Sequence, residues 1–351
     1  MYRKEFLKKT AAISTAISLS PALLPSYAAE VNDTTLIKPA RLRKGDLIGL
    51  AAPGSFISDK ELQESVSNLE KLGFRVFYTE NILARHGYLA GTDAQRADDL
   101  HLLFSNKEVK GIMCARGGYG CSRILPLLDY ELIRRNPKVL IGYSDITALC
   151  YGIFNNTGLT CFHGPVAIST FNDFSVFYFN QVLVDPQPGL LLASAVNTDP
   201  QKENYSIVPI RSGKASGQLA GGNLSIVVSL IGTPYDIDYT GKIVFLEEIG
   251  EEPYRIDRML TQMIEAGKFN KAAGIALGIF DKCEPKEKNP EFNFSFSLME
   301  VLIDRLYNLG IPVIYGLSFG HITNKFTLPV GINAELDVDN HTLRLLDQAV
   351  L

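Results

Sequence analysis

The chain has 351 residues, 46% of them hydrophobic and 21% charged, with a formal net charge of −4. That length allows two domains and a large core, and the composition is that of a folded globular protein. Without the first 28 residues the balance is 30 basic against 37 acidic side chains, which excludes a basic face for nucleic acid.

Those first 28 residues read as an export signal. Arg3, Lys4, Lys8 and Lys9 make a basic start, Ala11 to Leu24 an apolar stretch, and Ser26-Tyr27-Ala28 a small-residue cleavage site. The stretch is too short and too weakly hydrophobic for a membrane span. No Cys lies near the cleavage site, so no stable membrane anchor is expected. Arg3-Lys4-Glu5-Phe6-Leu7-Lys8 resembles a twin-arginine signal with Lys in the second basic place, and the expected location is the periplasm.

After a loose start, Leu47 to Ala52 is a buried strand closed by Pro53-Gly54-Ser55. Ser58 and Glu61 form a capping box for a helix with Leu62, Val66, Leu69 and Leu72 along one stripe, ended by Gly73. Phe74 to Tyr78 is the next strand. Thr92 and Gln95 open a second helix, with Ala97, Leu100, Leu103 and Phe104 inward. The strand Gly111 to Ala115 runs into Arg116-Gly-Gly-Tyr-Gly120 and a helix from Ser122. Val139 to Gly142, the helix from Ile146 to Phe154 and the strand Leu159 to Phe162 follow. This alternation predicts an N-terminal α/β domain over 38–168, a doubly wound parallel sheet with its crevice at the carboxyl ends of the strands.

Residues 169–204 change texture, and their aromatics and prolines read as an irregular crossing linker. A strand-rich α/β domain is expected over 205–351. Its strands are Ile207 to Ile210, Ala215 to Leu219, Lys242 to Leu246, Ala272 to Phe280 and Val313 to Tyr315. Gly221-Gly-Asn-Leu-Ser leads into a helix, and two further helices span Tyr254 to Ala266 and Ser295 to Asn308. Gly316 to Lys325 is a loop, and Phe326 to Leu346 a hairpin.

The unusual residues collect where strands end. Gly142-Tyr143-Ser144-Asp145 lies between a strand and a helix, a turn that thrusts a serine hydroxyl out beside the N–H groups of the helix start. Ser144 is equally a preferred capping residue, and the Gly-x-Ser-x-Gly form is absent. Gly117 and Gly118 could bring backbone N–H groups to an oxyanion, and Arg116 beside them suits an anionic group. His163 and His321 both stand next to a glycine after a strand, while His86, His101 and His341 have weaker surroundings. Glu247 and Glu248 end an apolar strand, and their alternation sends only one of them into a given site. The five cysteines lack metal-ligand spacing and read mostly as small buried hydrophobes, with Cys121 open to a nucleophilic role. A serine nucleophile needs a base and a group to orient it. Ser144, a Glu and a His can supply these, without the residues alone choosing among them.

Arg-Gly-Gly-Tyr-Gly at 116–120, Gly-Tyr-Ser-Asp-Ile-Thr at 142–147, Phe-Leu-Glu-Glu at 245–248, Pro-Tyr-Arg-Ile-Asp-Arg at 253–258 and Gly-His at 320–321 form one ordered set. As a set they resemble the LD-carboxypeptidase family, the muramoyl-tetrapeptide carboxypeptidases and the microcin-immunity peptidases. The resemblance implies an amidotransferase-like N-terminal domain, a β-rich C-terminal domain and an active site in the cleft between them. It implies Ser144 as nucleophile, His321 as general base and acid, and Glu247 as the carboxylate that orients it. Glu248 and His163 become structural, and the N–H of Asp145 with that of Gly117 or Gly118 becomes the oxyanion hole. It further implies a homodimer and no metal or other cofactor.

The expected activity is removal of the terminal D-Ala from peptidoglycan tetrapeptides through an acyl-enzyme, with Arg116 the candidate for the substrate's terminal carboxylate. Two alternatives stand beside it. The microcin-immunity branch hydrolyses a peptidyl-nucleotide and stacks a Trp on the nucleobase, and this chain has no Trp. A non-catalytic periplasmic muropeptide-binding protein would not require Ser144, Glu247 and His321.

Overall fold

In the computed structural model, residues 35–195, 205–286 and 294–351 are described. The expected export signal and residues 196–204 of the expected linker lie outside them. The first sheet takes its parallel strands from the alternating segment: β1 (Leu47–Ala51), α1 (Asp59–Lys71), β2 (Arg75–Phe77), α2 (Asp93–Ser105), β3 (Val109–Cys114), α3 (Cys121–Ile124), α4 (Tyr130–Arg135), β4 (Val139–Gly142), α5 (Ile146–Thr157) and β5 (Phe162–His163). Both expected capping boxes are formed, Ser58 with Glu61 and Thr92 with Gln95. The parallel order β2-β1-β3-β4-β5 reverses direction between β1 and β3, and ligands of such sheets bind at that switch point.

The remaining elements are α6 (Asp173–Leu183), β6 (Leu191–Leu192), β7 (Val208–Arg211), β8 (Lys214–Asn223), α7 (Leu224–Leu230), β9 (Ile243–Ile249), α8 (Pro253–Glu265), β10 (Gly274–Asp281), α9 (Leu298–Leu306), β11 (Val313–Tyr315), β12 (Leu328–Pro329), β13 (Asn333–Asp337) and β14 (Thr342–Leu345). Eight of these strands form a mixed sheet in the order β6-β14-β13-β8-β9-β10-β11-β7, parallel across β8 to β11.

Three expectations need correction. Residues 169–195 are not irregular: the Asn172 carboxamide oxygen accepts from the Ser175 N–H at 3.0 Å and starts α6, which buries Tyr178, Phe179, Val182 and Leu183. The helical spacing of those side chains was hidden among the other aromatics. The strand ending at Leu219 runs on to Asn223, because Gly221 and Gly222 pair with Phe245 and Leu246 of β9. The C-terminal hairpin is only β13–β14, since Leu328 and Pro329 instead pair antiparallel with His163 and Phe162 and close the edge of the first sheet. A proline, which cannot donate to a ladder, is tolerated at such an edge.

The two sheets meet on α5. The Asn223 N–H donates to the Thr147 hydroxyl at 3.0 Å, and the Tyr151 and Tyr239 hydroxyls are hydrogen-bonded in the interior. One continuous core runs from Ile141 and Phe162 through Leu149 to Phe245 and Leu277. The helix that begins at the serine turn is therefore also the surface on which the second sheet rests.

Candidate active site

After β4 the chain turns through Tyr143 and Ser144 into α5. Ser144 has φ +65°, a left-handed conformation that costs a residue with a side chain about 1–3 kcal/mol and recurs at functional sites. Ser144 does not cap the helix. The N-cap position belongs to Asp145, whose side chain makes no capping bond. The Ser144 carbonyl instead accepts from the Thr147 N–H at 2.9 Å, and the side chain stays half-buried.

The loop after β3 lies directly on this serine. A Cβ at Gly117 would stand 2.8 Å from Ser144 Cβ and 3.0 Å from Oγ, so only glycine permits the approach. The loop is held from behind. Ser55 Oγ accepts from the Tyr119 N–H at 3.2 Å, and the Asp145 carboxylate accepts from the Cys121 N–H at 3.0 Å. Burial pushes the Asp145 carboxyl up, against its bonds to Cys121 and the charge of Arg96. Arg96, fully buried on α2, donates from one nitrogen to the carbonyls of Pro53 and Gly120 and so ties together the loops that follow β1 and β3. No backbone carbonyl of the described residues accepts from the N–H of Asp145, Gly117 or Gly118. Of these residues, Gly117 packs against the Ser144 side chain, Asp145 follows it directly in the chain, and Gly118 faces Ser55.

The second half comes from the other sheet. Glu247 and Glu248 both lie inside β9, and both are buried. The Glu247 Oε2 and His321 Nδ1 atoms are 2.7 Å apart. Burial pushes the Glu247 carboxyl up, but the hydrogen bond and charge of His321, with the charge of His163, outweigh it and hold the group below its ordinary range. Glu248 faces away and accepts from the N–H and hydroxyl of Ser225 at 2.8 and 2.7 Å and from the Asn223 amide at 3.0 Å, at the start of α7. The alternation read from the sequence holds.

His321 sits on a loop that needs Gly320. With φ +114°, that residue would bring a Cβ within 2.9 Å of the Ile279 carbonyl and 3.0 Å of Glu247 Oε2. The same loop is anchored to α6. The Ser175 hydroxyl donates to the Thr323 carbonyl at 2.9 Å and accepts from the Lys325 N–H at 3.1 Å, and Asn172 bonds Asn324.

Tyr143 joins the two halves. Its ring lies 4.8 Å from the His321 ring, edge to face, while Lys325 Nζ stands 4.5 Å from its centroid. Lys325 is 5% exposed, and burial pushes its ammonium down to about 8, with Glu247 pulling the other way.

The other predicted residues fall as follows. Arg116 is half-exposed and donates to Glu61 Oε1 at 3.1 Å. His163 is buried among Tyr143, Phe245 and Phe319, with no hydrogen-bond partner for either ring nitrogen among the described residues. Burial pushes its pKa down to about 4. Cys121 is buried, and burial followed by the Asp145 charge pushes its thiol up, away from nucleophilic use. His101 accepts from the Asp129 N–H at 2.8 Å. Among the described residues no three His, Cys, Asp or Glu side chains are grouped to hold a metal ion. Sequence reasoning missed Arg96, Ser175 and Lys325. None sits in a motif, and only the fold brings them to the site.

Residues 48–164 match the LD-carboxypeptidase N-terminal domain and residues 216–336 the LD-carboxypeptidase C-terminal domain. A probable murein peptide carboxypeptidase of Bacillus subtilis is 39% identical, over 87% of this chain and 93% of that one. The microcin C7 self-immunity protein MccF of Escherichia coli is 30% identical, over 88% of this chain and 95% of its own. An apo structure of that immunity protein matches with a TM-score of 0.81, covering 90% of this chain and 100% of the other. The muramoyltetrapeptide carboxypeptidase of Oxalobacter formigenes matches with a TM-score of 0.72 at 30% identity, covering 85% and 97%.

Proposed function

Because the chain belongs to the LD-carboxypeptidase family, we propose that it is a serine carboxypeptidase that releases the C-terminal D-Ala from murein tetrapeptides. The observation that carries this reading is the 2.7 Å contact between His321 Nδ1 and Glu247 Oε2, next to the strained Ser144 turn. Glu247, kept ionised, holds the imidazole with its proton on Nδ1 and leaves Nε2 as the base for the Ser144 hydroxyl.

Ser144 Oγ attacks the carbonyl that precedes D-Ala, and its proton passes to His321. The N–H groups of Asp145 and of Gly117 or Gly118 receive the negative charge that develops on the oxygen. His321 then gives the proton to the departing D-Ala amine, which leaves the tripeptide esterified to Ser144. Water, deprotonated by the same imidazole, hydrolyses the ester. Export through residues 1–28 would make this a periplasmic enzyme, acting as a homodimer.

The likeness to MccF favours a second reading, hydrolysis of a peptidyl-nucleotide. Against it stands the absence of tryptophan for stacking a nucleobase. Mass spectrometry of a disaccharide tetrapeptide incubated with the protein tests the first reading. Loss of one alanine with the wild type, and none with Ser144→Ala, is the expected result. An intact tetrapeptide together with a cleaved peptidyl-nucleotide would replace it with the second, and no labelling of Ser144 by a serine-directed probe would leave a binding protein.

A further inference from the structure

A carboxypeptidase must recognise a free carboxylate three bonds from the carbonyl it cuts, so the receiving cation stands close beyond the nucleophile. Arg116 is partly committed: it is paired with Glu61, which in turn belongs to the Ser58 capping box. Lys325 is in a different state. It is buried, its ammonium lies 4.5 Å from the ring centroid of the residue preceding Ser144, and it has no ion pair among the described residues. The groups that act on it are Glu247 of β9, already held by His321, and His163 of β5. Its backbone is fixed by Ser175 of α6. A desolvated cation is costly to keep until an anion completes the pair.

We infer that Lys325 receives the terminal carboxylate of the substrate and so makes the enzyme an exopeptidase. The inference rests on the peptidase reading above. Lys325 acts as a point charge.

The test is calorimetric binding of an N-acetylated tetrapeptide ending in D-Ala, and of its C-terminal amide, to Ser144→Ala protein with and without Lys325→Met. With Lys325 present, the acid is expected to bind about 10–100-fold more tightly than the amide. In the Lys325→Met protein that ratio should approach one, and Lys325→Arg should restore part of it. Melting curves establish that each variant is folded. A preference that survives Lys325→Met overturns the inference, as does one that survives it but is lost in Arg116→Gln. Equal binding or no binding of the two peptides with Lys325 present also overturns it. A Lys325-dependent preference in a wild type that hydrolyses neither peptide would leave the carboxylate site standing and remove the catalytic reading instead.

Discussion

The two halves of the site are built by opposite means. Ser144 and its neighbouring N–H donors come from continuous stretches of chain, each a strand, a glycine-containing or strained turn, and a helix start. Glu247 and His321 stand 74 positions apart, and the histidine loop takes its shape from Gly320 on one side and from α6 on the other. The first half stores strain in one residue, and the second spreads its geometry over many ordinary contacts. Damage to the first half should therefore abolish activity with little loss of stability, while damage to the second should cost both together.

Ser144→Ala is expected to have the largest effect, a loss of about 10⁶ in kcat with the melting temperature unchanged. Ser144→Gly should be equally inactive and melt higher, since glycine takes φ +65° without cost. A lowered melting temperature in both would break the contrast. Glu247→Gln should lower kcat by about 10⁴, because the neutral amide can present its N–H to Nδ1 and favour the wrong tautomer. Gly320→Ala is expected to lower kcat about 100-fold and stability by about 1–3 kcal/mol, read from D-Ala release and urea unfolding together. Ser175→Ala removes the tether of the His321 loop, with an expected loss of about 1 kcal/mol and a several-fold lower kcat at little change in KM.

The last effect bears on stability alone and is one of pH. His163 has a folded value near 4 against an ordinary 6.5, so between these the unfolded chain binds a proton that the folded one refuses. Stability from His163 is present above 6.5 and falls as the pH drops towards 4. Glu247, shifted below its ordinary 4.5, keeps its contribution until the pH passes below that value. The melting temperature should therefore fall between about pH 7 and about pH 5, and fall less in His163→Phe, which keeps the ring packing against Phe245 and Phe319. An unchanged pH dependence would mean that another group carries the acid sensitivity.

What could be read from the sequence follows the same division. The parallel sheet, both capping boxes and the strand-to-helix turn at Ser144 are local patterns, and they appear with bounds shifted by a few residues at most. The alternation of Glu247 and Glu248 is local too. The helix over Asp173–Leu183 was missed because aromatic residues and flanking prolines mask its period. Arg96 and Lys325 were missed for a stronger reason: a buried cation on a helix or loop looks like a surface residue until the carbonyls, rings and charges around it are known. Burial of that kind is a property of the assembled fold.

The pairing of Leu328 and Pro329 with β5 bears on how the protein comes to be folded. The first sheet opens at Leu47, yet its last strand is supplied more than 270 residues later, and Leu351 exchanges backbone hydrogen bonds with Pro39 and Arg41. A nascent chain that has emerged only through β5 would present a bare strand edge, a template for pairing with other chains. Completion of the serine-bearing half must therefore wait until the chain has been made as far as Pro329, which favours closure of both sheets together over folding of the first sheet by itself during synthesis.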